Sequence, residues 1–157
     1  MSDCCSLEHS SAAAPAVLPC PLNGARSKRV QLVTVRSLVR KLPFEMPRTP
    51  YYFCDVPDCD VVYFPLDKRA PIFHRGDLLV RVGAKETVDP VPVCYCFGVS
   101  SKDLEEEIRE TGHTTVAERI KAEVQAGNCA CEVKNPSGKC CLGVLKQVIQ
   151  NCRRSQG

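Results

Sequence analysis

The apolar positions of this chain change their period along its length. Between residues 20 and 90 they come in short β-branched and aromatic runs, and after residue 91 they recur at helical spacing. Val30 to Val35, Val-Gln-Leu-Val-Thr-Val, predicts a strand. Arg36 to Leu42 sets Leu38, Val39 and Leu42 on one helical face, with Pro43 as the stop. Tyr51–Cys54 and Val61–Phe64 predict two strands, joined by the turn Asp55-Val-Pro-Asp-Cys59-Asp60. Leu78–Val82 predicts a further strand, and the prolines of Asp89-Pro-Val-Pro-Val93 mark a boundary.

Downstream, Ser100 offers an N-cap with Asp103 three positions on, Leu104 and Ile108 form the apolar stripe, and Gly112 ends the helix. Thr115-Val-Ala-Glu118 reads as a capping box opening a helix with Val116, Ile120 and Val124, ended by Gly127. Leu142, Leu145, Val148 and Ile149 define a third helix. Residues 1–19 are rich in Ser and Ala without apolar periodicity and read as a flexible arm. The expected fold class is therefore α+β: the arm, a β-rich unit over residues 20–90 and a helical unit over 91–152.

Composition adds one dominant fact. Among 157 residues there are 12 Cys and no Trp, so the core is modest and the thiols are in excess. The N-terminus shows no basic stretch followed by an apolar one, and no run approaches a membrane span, so the expectation is a cytoplasmic protein. In a reducing compartment, cysteines grouped as Cys-x-Cys, Cys-x4-Cys and Cys-Cys read as thiolate metal ligands rather than disulfides. The net charge of +3 is too small to imply nucleic acid. Its distribution is uneven: Arg26, Lys28, Arg29, Arg36, Arg40, Lys41 and Arg48 face only Glu45, while residues 102–123 are mainly acidic. Segregated charge of this kind can orient a partner protein, and solvated faces of two small units would give the same pattern.

The first thiol group centres on Cys54 and Cys59, which a tight β-turn can direct at one point, with Cys20, on the turn Cys20-Pro-Leu-Asn-Gly24, as the third ligand of a structural Zn2+ site. Asp60 is the first choice for the fourth, ahead of His74 and of Cys4, Cys5 and His9 in the arm. The alternative is that Cys54 and Cys59 are buried free thiols.

The second group is Cys94-Tyr-Cys96 together with Cys129, Cys131, Cys140 and Cys141. Four thiolates suit a [2Fe-2S] cluster, two per iron, and their positions before helices place the cluster's negative charge near unpaired N–H groups. Cys141 directly precedes the third helix and Cys131 the Asn-Pro-Ser-Gly turn, so Cys94, Cys96, Cys131 and Cys141 are the preferred ligands. Cys129 and Cys140 are the alternative pair, and a second zinc site is the alternative use.

Taken together, Tyr-Tyr-Phe-Cys54-x4-Cys59-Asp-Val-Val-Tyr-Phe, Val-Cys94-Tyr-Cys96-Phe-Gly and Cys131-Glu-Val-Lys-Asn-Pro-Ser-Gly-Lys-Cys140-Cys141-Leu-Gly resemble the N-terminal zinc and [2Fe-2S] domain of CopZ-type copper chaperones. The helical half is similar to bacterioferritin-associated ferredoxin. The resemblance implies a small zinc-bound β unit followed by a helical [2Fe-2S]-binding unit. It also implies metal-ligand roles for Cys54, Cys59, Cys94, Cys96 and one of each later pair. Asn23 departs from the family's Cys-Pro-x-Cys-Gly turn, and the chain stops before the heavy-metal domain with its Met-x-Cys-x-x-Cys loop. The expectation is then an electron-transfer module of copper or other heavy-metal handling, able to reduce Cu(II) to Cu(I) for a chaperone or a P-type ATPase. Soft-metal binding or delivery, and a metal-stabilised adaptor without redox role, are the competing expectations.

Overall fold

The computed structural model describes residues 13–155, and these form an α+β structure. A five-stranded antiparallel sheet comes first, in the spatial order of the sequence: β1 (Val17–Pro19), β2 (Arg26–Val30), β3 (Tyr51–Phe53), β4 (Val61–Pro65) and β5 (Phe73–His74). The expected hairpin is present, with Tyr52 opposite Phe64 and Phe53 opposite Tyr63. Both faces of the sheet are covered, which is why β4 is an unbroken apolar run buried from end to end. On one face Tyr51, Tyr63 and Phe73 pack with Val35, Val39 and Leu78; on the other Tyr52 and Phe64 stack beside Cys20, Cys54 and Cys59.

Three elements differ from expectation. The stretch Val30–Val35 is not a strand: Val30 ends β2, and α1 spans Leu32–Leu38. Thr34, Val35 and Leu38 are buried at helical spacing, and the Thr34 hydroxyl donates to the Glu132 carbonyl at 2.6 Å, so tertiary packing overrides the β preference of Val and Thr. The helix expected over residues 36–42 is already over at Leu38, because Val39 turns extended and pairs with Leu78. That single bridge is what remains of the strand expected over residues 78–82, and two short 3-10 turns, Arg75–Asp77 and Gly83–Lys85, flank it. The chain also joins the sheet at Val17, within the stretch read as an arm.

The second part is helical apart from a small hairpin of β6 (Pro92–Cys94) and β7 (Val99–Ser100). It contains α2 (Ser101–Thr111), α3 (Val116–Gln125), the single turn α4 (Cys131–Lys134) and α5 (Leu142–Ser155). Ser100 and Asp103 form the expected capping box, and Gly112 closes α2 at φ 79°. At α3 the cap is displaced by one residue: Thr115 makes no side-chain cap bond, and the Thr114 hydroxyl accepts from the Val116 N–H at 3.1 Å while donating to Glu107 Oε2 at 2.7 Å. Leu104, Ile108, Val116, Ile120, Leu145 and Ile149 make the core of this part.

The two parts are packed together rather than strung on a linker. Besides the Thr34 bond, the Tyr63 hydroxyl donates to the Pro136 carbonyl at 2.5 Å, and Gly138, at φ 70°, lies against Thr34 and Val30. The Tyr95 hydroxyl accepts from the Gly83 N–H at 2.8 Å and donates to the Arg81 carbonyl at 2.6 Å. Among the described residues no helix is long and apolar enough to cross a membrane.

Candidate metal centres

The first centre lies on the sheet at the ends of two hairpins. Cys20 begins the β1–β2 turn, which closes through the Gly24 N–H to Cys20 O bond at 2.8 Å and needs the left-handed φ of Gly24. Cys54 continues β3, still paired to Val62 O at 2.9 Å, and Cys59 is held in the following turn by its N–H to Val56 O at 3.2 Å. All three thiols are buried, and their Sγ atoms lie within 4.8 Å of one another, Cys20 to Cys59 at 3.9 Å. For a tetrahedral zinc with Zn–S of about 2.3 Å the ligand sulfurs stand about 3.8 Å apart. The trio fits that ion.

Its surroundings also favour thiolate. The Asn23 amide donates to Cys54 Sγ at 3.4 Å, and the Lys85 Nζ reaches the same sulfur at 3.8 Å. Burial raises the Cys54 thiol, but the Asn23 and Val56 N–H groups and the Lys85 charge outweigh it, and the net shift is below the ordinary thiol value. Cys20 moves the other way: burial raises it, against hydrogen bonds from the Leu22 and Asn23 N–H groups.

Asp60, the expected fourth ligand, is exposed and stands outside the group that converges. His74, the last residue of β5, is half exposed and pairs with Asp77 of the following turn at 3.6 Å. Cys4, Cys5 and His9 fall outside the described residues. The side chain that borders the trio is Asn23, the residue that had marked the turn as irregular. Lys85 gave no signal in the sequence, since it is 26 residues beyond the nearest of the three cysteines.

The second centre is assembled from the β6–β7 hairpin, α4 and the N-terminus of α5. Cys94, Cys131 and Cys141 are buried and Cys96 partly so. The thiols draw together across the loops: Cys96 Sγ lies 3.6 Å from Cys131 Sγ, and Cys94 and Cys141 are buried in one core cluster against which Cys96 packs. The Ala130 N–H donates to Cys96 Sγ at 3.3 Å. Desolvation, then the neighbouring Cys96 thiol, pushes Cys131 up to about 12, and desolvation with Cys94 raises Cys141 strongly. Buried thiols crowded in this way gain by exchanging their protons for a cation. Cys129 is half-buried and Cys140 exposed, while Cys152 packs into the core beside Ile149 and near Glu105.

An α+β chain whose sheet brings three buried thiols together within reach of one ion, beside an amide and an ammonium donor, has the features of a thiolate metal-binding protein. Comparison with known proteins narrows the class. The zinc-binding domain model zf_CopZ matches residues 18–79. The chain is 35% identical over 132 residues to the copper chaperone CopZ of Archaeoglobus fulgidus, an overlap of 84% of this chain and 62% of that relative's length. The crystal structure of the A. fulgidus CopZ N-terminal domain superposes with a TM-score of 0.66 at 35% identity, covering 83% of this chain and 97% of that domain. The chain belongs to the CopZ family and carries its zinc-binding domain.

Proposed function

We propose that this chain is a metal-handling module of copper homeostasis built on two thiolate centres. Cys20, Cys54 and Cys59 hold Zn2+ in a site that, among the described residues, no His or carboxylate joins, and this ion ties the turns of a small sheet whose own core is limited. Cys94, Cys96, Cys131 and Cys141 form the second, metal-active centre. The observation that carries the reading is the approach of these thiols across the loops, Cys96 to Cys131 at 3.6 Å, with Cys94 and Cys141 buried in the core against which Cys96 packs. The likeness to a copper chaperone supports copper as the metal handled.

Within that reading the pairing favours a [2Fe-2S] cluster over a second zinc. One tetrahedral zinc would draw its sulfurs to about 3.8 Å from one another. Among the described residues only the Cys20, Cys54 and Cys59 group brings three ligand atoms within 4.8 Å, while the second group offers the close pair Cys96 and Cys131 at 3.6 Å, which suits one iron of a cluster. When bound, such a cluster supplies one-electron transfer. The protein's part is to hold two thiolates per iron, to direct the Ala130 N–H at the Cys96 sulfur, and to bury Cys94 and Cys141 in the core. A Cu(II)-reducing role serving a chaperone or a P-type ATPase follows from that chemistry. Soft-metal binding or delivery is the second reading, and it is favoured by the exposed Cys140 and half-buried Cys129 beside the centre.

Anaerobically purified protein is expected to contain two iron, two sulfide and one zinc per chain. Iron without sulfide, or zinc alone, would refute the cluster. Loss of the EPR signal of the dithionite-reduced protein on adding Cu(II) supports the reductase role, and an unchanged signal removes it. High-affinity Cu(I) uptake in competition with a chelator, beyond the zinc and iron, would establish the delivery reading instead.

A further inference from the structure

Lys85 is 2% exposed, the most deeply buried charged side chain of the described residues. It sits at the end of the Gly83–Lys85 turn and reaches into the first centre. Its Nζ donates to the Val56 carbonyl at 2.8 Å and to the Cys59 carbonyl at 2.8 Å, and it faces Cys54 Sγ at 3.8 Å. An ammonium has three N–H donors and no acceptor, so three acceptors saturate it. Two of these acceptors belong to the loop that carries Cys54 and Cys59, and the third is a sulfur of the centre itself. Among the described residues no carboxylate pairs with Lys85, and the negative charge it faces is that of the thiolates.

We propose that Lys85 is the built-in counter-cation of the first centre and the residue that positions its Cys54–Cys59 loop. The inference rests on Cys20, Cys54 and Cys59 holding a divalent ion. Three thiolates and one divalent cation sum to one negative charge, and the Lys85 ammonium brings the buried assembly to neutrality. The sum closes only if the fourth neighbour is neutral. Asn23, whose amide already lies 3.4 Å from Cys54 Sγ, satisfies that condition, and a carboxylate such as Asp60 would break it. The centre therefore does with three thiolates, an amide and a lysine what four thiolates would do with a surplus of negative charge.

The test is Lys85→Gln, which keeps hydrogen-bond donors for the Val56 and Cys59 carbonyls but removes the charge. Zinc affinity is read by competition with a chromogenic chelator, and the site is then loaded with Co(II). Loss of an outer-sphere interaction of this kind weakens zinc binding by about 10- to 100-fold. Removing a cation beside Cys54 also raises the sulfur orbitals, so the thiolate-to-cobalt charge-transfer band moves to longer wavelength while its intensity still reports three thiolates. An affinity within twofold of wild type overturns the proposal. So does a weakened affinity with an unmoved band, which would leave Lys85 a packing residue only. Lys85→Met, with the same two readouts, serves if Lys85→Gln does not fold. If the wild-type protein itself takes up no zinc, the zinc assignment fails and Lys85 falls with it; wild-type uptake with an unaffected variant removes Lys85 alone.

Discussion

Gly138→Ala puts the junction between the sheet and the second centre to the test. Gly138 has φ 70°, where an L-residue costs roughly 1–2 kcal/mol. A Cβ there would stand 2.8 Å from Thr34 Oγ1 and 3.2 Å from Val30 Cγ2. Thr34 is fully buried and already committed, since its hydroxyl donates to Glu132 O at 2.6 Å. Moving it away strains or breaks that bond, a further loss of about 1 kcal/mol or more with the carbonyl left unpaired. The sum is about 2–4 kcal/mol, read from urea denaturation of the anaerobic, metal-loaded protein with m unchanged. In a Thr34→Ala background the oxygen is gone, and Gly138→Ala should cost only the backbone part, so the double-mutant cycle should return a coupling of about 1 kcal/mol or more. A loss under about 1 kcal/mol, or the same loss in both backgrounds, would refute the view that this glycine is selected by its contact with α1.

Four further outcomes are expected. Tyr63→Phe leaves the buried Pro136 carbonyl without its 2.5 Å donor and should cost about 1–3 kcal/mol in the same denaturation assay. Leu145→Ala empties a fully buried site at the centre of the helical core, for about 2–5 kcal/mol. Cys131→Ser should abolish iron loading while Cys129→Ser leaves it intact, by metal analysis of each variant; the opposite result would exchange their roles. The Ser100 N–H, then its hydroxyl, holds the Asp103 carboxyl below its usual range, so its contribution is present above the unfolded value of about 3.9 and lost as pH falls through the lower folded value. The stability gap between wild type and Asp103→Asn should therefore be constant above about pH 5 and close in more acidic solution.

The helical part was the more legible half. Ser100, Asp103 and Gly112 act within a few residues of one another, and the i+4 stripe of Val116 and Ile120 needs no knowledge of the partner surface. The hairpin of β3 and β4 was readable for the same reason, its turn being local. Leu32–Leu38 was not, because the forces that make it a helix come from Glu132 and Gly138, about a hundred residues away. The same division holds at the metal centres. Spacing named Cys20, Cys54 and Cys59, which converge, but proximity in sequence favoured Asp60 over Asn23, and the β-turn points the Asp60 side chain to solvent. Nothing local marks Lys85, whose role exists only once a 3-10 turn delivers it beneath the Cys54–Cys59 loop.

Tyr95 stands between the two cysteines of the β6–β7 hairpin, and its hydroxyl is bonded on both sides to the strap of residues 81–83. That strap continues directly into Lys85. The hairpin is thus braced like a hinged shutter with its latch engaged: it cannot swing off the sheet without giving up both bonds. Solvent therefore reaches this group of thiols while the hairpin stays latched, since Cys96 is partly open and Cys140 exposed.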